Sequence, residues 1–296
     1  MNTCLAIDIG GTKIAAALIC NGVVSKRSQM KTPSSSKTSA MDEALKSMIQ
    51  PLLSEADYIA VASTGIIDKG ILKALNPDNL GGLNLYPLQQ TVAHLSQLTV
   101  FVINDAQAAA WAEYQHTSNI SNMAFITVST GVGTGLVINN QLLIGSRGVA
   151  GHAGHMLADP NGPVCGCGRR GCVESIASGT AIANAGKDIW GDLCTGQFVF
   201  EKFLAGNLQA EKIIHQSARV IANLIADLTI SLDLELVKLG GSVGLATGYL
   251  AIVRQYLSQM PMAHQSHVIS AQCAADAGLV GVAQWANNQY SVETNS

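Results

Sequence analysis

Three thiols and an imidazole, His155, Cys165, Cys167 and Cys172, fall within 18 residues, separated by nine, one and four residues. Unrelated cysteines seldom gather at ligand spacing, and in a reducing compartment such a group points to metal rather than to disulfides. One imidazole and three thiolates close a tetrahedral Zn²⁺ shell and leave no position for a reacting water, so the expected role is structural. Gly166, Gly168 and Gly171 let the chain wrap the ion. Spacing alone does not separate His152 from His155 as the fourth ligand. Glu174, just past the last cysteine, would be held in place by the same loop.

Three glycine-rich segments follow apolar runs: Asp8-Ile-Gly-Gly-Thr-Lys13, Ser129-Thr-Gly-Val-Gly-Thr-Gly135 and Gly240-Gly-Ser-Val-Gly244. Backbone N–H groups of glycine approach an anion closely, and threonine adds a hydroxyl donor. Neither a P-loop nor a dinucleotide fingerprint has this spacing, and an apolar strand rather than a helix follows the second segment. Any one of the three could be a plain hairpin turn. Three together, with an acid in the first, argue for phosphates, and Asp8 suits Mg²⁺ bound alongside phosphate oxygens. Lys13 could reach a phosphate, although an exposed lysine is the simpler expectation.

Asn104-Asp105 joins a buried strand to an alanine-rich helix. A carboxylate there can cap the helix, or it can act as a general base toward a hydroxyl attacking a phosphoryl group. Position alone favours the cap.

The elements that must hold these groups alternate between strand and helix, which makes the chain α/β. Strands are expected at Cys4–Asp8, Ile14–Ile19, Tyr58–Ala62, Leu98–Ile103, Ala124–Val128, Leu136–Ile138 and Leu236–Leu239. Helices are expected at Met41–Leu53, Ala106–Tyr114, Ser178–Ala185, Glu211–Thr229 and Gly248–Met260. Asn21-Gly22 reads as a hairpin turn and Asn76–Leu83 as a loop. Leu5–Ile19 and Ala124–Ile138 share one order, strand, Gly/Thr loop, strand, a weak repeat that implies two related lobes.

Composition narrows the class. The 296 residues are 48% hydrophobic and 12% charged, which excludes a disordered chain. Seventeen Lys and Arg against twenty Asp and Glu leave a net charge of -3, without the basic surplus of a nucleic-acid binder. No signal peptide or membrane helix is read, so a cytoplasmic protein with no nucleic-acid or membrane partner is expected. Cys4, Cys20, Cys194 and Cys273 are expected to be small buried apolar residues.

Taken together these segments resemble the ROK family of sugar kinases, from Ala6 to Asp276-Ala-Gly-Leu-Val-Gly281. Cys165-Gly-Cys-Gly-Arg-Arg-Gly-Cys-Val-Glu174 is close to that family's signature, and Ala150-Gly-His-Ala-Gly-His155 to its sugar and zinc segment. The resemblance implies an actin-like (ribonuclease H-like) ATPase fold, two lobes with ATP and sugar meeting in a central cleft. The expected smaller lobe is 1–104, with a C-terminal helix near 275–296 packing back on it, and the larger lobe is 105–274. Mg-ATP is the implied co-substrate and Zn²⁺ the structural ion.

By the same resemblance Ala6, Ile7, Asp8, Ile9, Gly10, Gly11, Thr12 and Lys13 form the first phosphate segment. Thr130, Gly131, Val132, Gly133, Thr134, Gly135, Leu136, Val137 and Ile138 form the second. Gly240 and Gly241 lie near the adenosine. Asp105 is the implied catalytic base, and Gly65, Asn79, Asn104, Asp105, His152, His155 and Glu174 the implied sugar residues. His155 can serve both sugar and zinc only through its second ring nitrogen.

His152 stands where glucose-type members carry Glu. An imidazole can donate to an amide carbonyl, as a carboxylate cannot, which would suit an N-acetyl group at C2. Ala62–Ile67, Leu75–Gly82 and Asn104–Glu113 resemble the bacterial members that phosphorylate N-acetylmannosamine to its 6-phosphate in sialic acid breakdown. The expected partners are thus a small amino sugar and ATP, and the family suggests a homodimer. A kinase for glucose, fructose or N-acetylglucosamine and a non-catalytic sugar sensor are the alternatives. A repressor of this family would carry a helix-turn-helix domain before the first loop, which here begins at residue 8.

Overall fold

The computed structural model describes residues 2–76, 79–273 and 276–294. Contacts divide it into two compact units: Met1–Thr117 with Leu142–Ala150 and Cys273–Ser296, and Ser118–Gln141 with Gly151–Gln272.

The first unit opens with β1 (Cys4–Ile9), β2 (Lys13–Cys20) and β3 (Val23–Lys31), then α1 (Thr38–Ile49). It continues with β4 (Tyr58–Ser63), the small hairpin of β5 (Ile66–Asp68) and β6 (Ile71–Lys73), α2 (Leu88–Ser96), β7 (Val100–Asn104) and α3 (Asp105–Gln115). Its main sheet has the order β3-β2-β1-β4-β7, antiparallel among the first three strands and parallel thereafter. Strand side chains alternate between faces. Leu5, Ile7 and Ile9 join Met41, Leu45, Ile49, Leu88 and Val92 of α1 and α2 on one side. Cys4 and Ala6 face Ala108 of α3 on the other.

Local chemistry sets the boundaries. Asn21 and Gly22 take φ of 50° and 77°, a two-residue turn with both residues left-handed, which suits the twist of β2 and β3. Helix α1 begins at Thr38 and ends at Ile49, short of the expected Leu53, because Pro51 cannot continue the ladder. Strand β3 carries no apolar alternation; it is an exposed edge that forms by pairing with β2. The segment 76–83 contains a 3₁₀-type turn at Asn79–Gly82, in which Leu80 is buried with φ of 51°.

The second unit contains β8 (Met123–Val128), β9 (Val132–Ile138) and the first residue of β10 (Gln141–Leu142), whose Leu142 is counted with the first unit, then α4 (Val173–Ala177), α5 (Gly179–Trp190), α6 (Gly196–Leu204) and α7 (Leu208–Leu232). After these come β11 (Leu236–Gly240), α8 (Gly241–Gly244), α9 (Tyr249–Leu257) and β12 (His267–Ser270). The sheet order is β10-β9-β8-β11-β12, with β8–β9 antiparallel and β8–β11–β12 parallel. Strand for strand this repeats the first sheet, and Asn139-Asn140, at φ of 52° and 63°, repeats the turn of Asn21-Gly22. The weak sequence repeat thus corresponds to a repeated sheet.

Helix α7 packs on α4, α6 and α9 and buries a long stripe, including Ile214, Ile221 and Ile225, in the core that also holds residues of β8 and β11, and Asn207 caps its start. Helix α5 runs beyond the expected Ala185 to Trp190, where Gly191 ends it at φ of 88°. The last helix, α10 (Ala277–Thr294), belongs to the first unit and packs on α3, β1 and β4. Ala275 and residues 295–296 of the expected C-terminal helix lie outside the described residues. Cys4 and Cys194 are buried as expected, but Cys20, at the end of β2, and Cys273, just past β12, are only half-buried. No described helix is long and apolar enough to cross a membrane.

Candidate active site

The first glycine segment is narrower as a turn than as a motif. Ala6, Ile7, Asp8 and Ile9 are strand β1, Lys13 begins β2, and only Gly10, Gly11 and Thr12 form the connection. The Gly10 N–H donates to Lys13 O at 3.0 Å, and Thr32 Oγ1 donates to Gly10 O at 2.7 Å. Gly11, Thr12 and Lys13 are exposed. Asp8 sits at the strand end, where burial and the nearby Asp105 and Asp276 push its carboxyl up to about 7, against the pull of Lys13 and Arg27. Arg27 Nε in turn donates to Asp276 Oδ1 at 2.8 Å. The start of α10 is close as well: a Cβ placed at Gly278 would lie 2.7 Å from Asp8 Oδ2. Acids crowded until one resists ionising form a place where a divalent cation relieves charge repulsion.

At the β7–α3 junction the cap is Asn104, not Asp105. Asn104 Oδ1 accepts from the N–H groups of Ala106 and Gln107 at 2.9 and 3.3 Å, and Gln107 Oε1 accepts from the Asn104 N–H at 3.2 Å. This closes a capping box. Asn104 Nδ2 donates to Gly65 O at 2.9 Å and more weakly to Ser63 O at 3.4 Å. Asp105 is therefore the first helical residue, half-buried, with Oδ1 accepting from the Ala106 N–H at 2.8 Å. Its carboxylate lies on the same unit as Asp8, close enough to raise the Asp8 pKa.

The second glycine segment is also shorter as a turn: only Ser129, Thr130 and Gly131 connect β8 to β9. Val132, Gly133, Thr134, Gly135, Leu136, Val137 and Ile138 are strand β9, where Gly133, Thr134 and Gly135 lie opposite Thr127, Ile126 and Phe125. The turn is held from outside. Ser129 O accepts from the Gly179 N–H at 2.7 Å and Thr130 O from Thr180 Oγ1 at 2.8 Å, while the hydroxyls of Ser129 and Ser242 meet at 3.1 Å. Gly240 ends β11 and Gly241 opens α8, so the third glycine segment, expected as a turn, is largely a short helix beside this one. Thr134 Oγ1 is buried with no hydrogen-bond partner among the described residues.

His155, Cys165, Cys167 and Cys172 present one imidazole nitrogen and three Sγ atoms, all within 4.8 Å of one another. Cys165 Sγ lies 3.6 Å from His155 Nδ1, and Cys167 Sγ 3.7 Å from Cys172 Sγ. Two thiolates on one tetrahedral zinc, with Zn–S near 2.3 Å, stand about 3.8 Å apart, so donor set and spacing fit that ion. Burial and the neighbouring thiols push the Cys172 thiol up to about 12, and Cys165 shifts the same way, so thiolates here need a cation. The structure thereby separates the two histidines: His155 is in the cluster and His152 is not. Gly168 and Gly171 take φ of 88° and 72°, and the knuckle closes through Cys165 N–H to Arg169 O at 2.8 Å. Burial holds the His155 imidazole low, with Glu174 opposing that shift and His152 adding to it.

Glu174 leaves this knuckle on α4 and its Oε2 accepts from the Val132 N–H at 2.9 Å. The family resemblance implies a sugar contact for Glu174, and no local pattern signals its bond to Val132. Asp276 and Arg27 lie beside Asp8, which no local pattern signals either. The Asn104-x-x-Gln107 spacing of a capping box, by contrast, was there to be read. Gly65 follows β4, and the backbone of Asn79 is in the 79–82 turn; the side chain of Asn79 lies outside the described residues.

A family model described as the ROK family matches residues 4–289. An N-acetylmannosamine kinase of Haemophilus influenzae (strain PittEE) is 52% identical over 284 residues, which cover 95% of this chain and 94% of that protein. Among solved structures, a ROK hexokinase from Thermus thermophilus has a TM-score of 0.84 at 30% identity, covering 98% of this chain and 99% of its own. A ROK family glucokinase from Streptomyces griseus in complex with glucose and AMPPNP has a TM-score of 0.80 at 28% identity, covering 97% of this chain and 99% of its own.

Proposed function

This chain belongs to the ROK family, and from that premise we propose that it transfers the γ-phosphoryl group of Mg-ATP to the 6-hydroxyl of N-acetylmannosamine. Its paired sheets are those of the actin-like ATPase fold shared by ROK sugar kinases.

Asp105 takes the proton of the 6-hydroxyl as that oxygen attacks the γ-phosphorus, and ADP leaves in line. Because Asn104 carries the cap, the Asp105 carboxylate keeps acceptor capacity beyond its bond to the Ala106 N–H. Asp8, whose crowding by Asp105 and Asp276 favours a cation, would hold the Mg²⁺ of Mg-ATP, which would supply charge neutralisation to the phosphates. The Gly10–Thr12 and Ser129–Gly131 turns supply backbone N–H groups to the phosphates, the buried Thr134 hydroxyl lies on the strand that follows, and Gly240 and Gly241 lie near the adenosine.

Gly65, Asn79, Asn104, His152, His155 and Glu174 orient the sugar. At Asn104 the 3.4 Å bond to Ser63 O is the one a sugar hydroxyl would replace. His155 acts through Nε2, since Nδ1 faces the thiols. His152 donates to the N-acetyl carbonyl. His155, Cys165, Cys167 and Cys172 hold zinc, which supplies a fixed frame for this loop and no open position for chemistry.

The observation that carries the substrate is the 52% identity, over nearly the full length, to a protein named N-acetylmannosamine kinase. The test is ADP release with Mg-ATP and one sugar at a time: N-acetylmannosamine, N-acetylglucosamine, glucose, mannose and fructose. We expect kcat/KM for N-acetylmannosamine to exceed the others by at least ~10-fold, a pocket difference of about 1.4 kcal/mol. Preference for a plain hexose would overturn the sugar assignment, and no turnover with any would overturn the kinase.

A further inference from the structure

The Glu174 carboxylate is pressed onto the turn that precedes β9. Its Oε2 accepts the Val132 N–H at 2.9 Å. A Cβ placed at Gly131 would lie 2.5 Å from that oxygen and 3.3 Å from Cδ, so only glycine lets the carboxylate pack on the backbone there. Its other oxygen, Oε1, lies 3.9 Å from Cys165 Sγ. Glu174 also has little freedom to drift. It is the second residue of α4, and the residue before that helix is Cys172, a member of the Cys₃His cluster. Val173 N–H bonds to Met156 O at 3.0 Å, next to His155, so both ends of the cluster grip the start of α4. Beyond α4 the chain reaches Gly179 and Thr180, which hold Ser129 O and Thr130 O of the same turn.

We propose that Glu174 is a positioning residue that ties the second phosphate turn to the metal knuckle, so that metal occupancy sets nucleotide affinity. This rests on the kinase reading and extends it: the ion, expected to be a static staple, acts on the phosphates through one side chain. When the cluster holds its ion, Cys172 and the start of α4 are fixed, the carboxylate is fixed, and so is the Val132 peptide plane. The neighbouring amides that face a phosphate are then held before nucleotide arrives, which removes an ordering cost from binding. An ionised carboxylate has about four acceptor sites, so the bond to Val132 leaves room for sugar hydroxyls.

The test needs no sugar and no turnover. Affinity for MgADP is measured with a fluorescent ADP analogue on the protein as isolated with its metal, then after chelation. Metal affinity is measured by equilibrium competition with a chromophoric chelator, with and without MgADP. Coupling between two binding sites is reciprocal, so both must move by the same factor. We expect about 10-fold in the wild-type protein, within the 5–150-fold range usual for coupled sites. In Glu174→Ala we expect the factor to fall below ~2, while Glu174→Gln, which keeps an acceptor for Val132, retains most of it. Gly131→Ala, whose methyl displaces the carboxylate, is the second way to break the link should Glu174→Ala not fold, and we expect the same loss. A wild-type factor near one, or an unchanged factor in either uncoupled variant, overturns the proposal while leaving the kinase reading intact. Absence of MgADP binding to the metal-loaded wild type overturns both.

Discussion

Asn104 and Gln107 hold one another at the start of α3, each accepting from the other's backbone N–H, at 3.3 Å for Asn104 Oδ1 and 3.2 Å for Gln107 Oε1. Between them stands Asp105. The pair takes over the capping that an aspartate at a helix start would ordinarily perform, and it sets the backbone from which the Asp105 carboxylate projects.

Gln107→Ala should therefore be felt in both stability and rate. Gln107 also donates from Nε2 to Ala150 O at 3.0 Å, so one buried and one part-buried bond are lost. We expect about 1–3 kcal/mol lower stability, read from the urea midpoint. We also expect a several-fold lower kcat at unchanged zinc content. An unchanged kcat would mean that the box does not set the orientation of Asp105.

Much of this arrangement was legible in the residues. The hairpin at Asn21-Gly22 follows from a dipeptide that tolerates positive φ, and the three clustered cysteines follow from spacing, whereas the choice of His155 over His152 needed the fold. Strand β3 was not legible, because an exposed edge has no hydrophobic alternation, and its hydrogen bonds to β2 form it instead. The extents of the glycine turns were not legible either. Gly133 and Gly135 read as turn residues, yet pairing with Thr127 and Phe125 makes them strand. The Asp8 surroundings depend on Asp276 and Arg27, and the Glu174–Val132 bond on two segments 42 residues apart, contacts only the tertiary fold creates.

Asp8 gives a pH signature to the nucleotide-free, Mg²⁺-free protein. Its pKa rises from an ordinary 3.8 to about 7 in the fold, so ionising it costs stability. That cost is absent below about pH 4, grows between pH 4 and 7, and is constant above 7. Asp8→Asn removes it. We expect the variant to match wild type in thermal melts at pH 4 and to be more stable at pH 8, by on the order of 1–3 kcal/mol. Equal melting at pH 8 would show that the carboxylate is not crowded.

Cys167→Ser removes one thiolate from the cluster. Bound zinc, measured by elemental analysis, should fall from about one per chain to a small fraction of that, with a lower urea midpoint. Retention of a full equivalent of zinc would exclude Cys167 as a ligand.

His152→Glu exchanges a donor for an acceptor at the position where the sugar preference is placed. We expect the ratio of kcat/KM for N-acetylmannosamine over glucose to drop by ~10-fold or more, about 1–3 kcal/mol in a hydrogen-bonding site. An unchanged ratio would move the N-acetyl contact to another residue.

Asp105→Asn tests most directly whether Asp105 takes the proton from the sugar, because asparagine keeps the oxygen that accepts the Ala106 N–H at 2.8 Å. The measurement is kcat with Mg-ATP and N-acetylmannosamine, beside sugar affinity by calorimetry and zinc content. We expect kcat to fall by ~10²–10⁴-fold, the usual contribution of a general base, with sugar affinity within a few-fold of wild type and zinc unchanged. Near-normal turnover in the variant would contradict the assignment of Asp105 as the base.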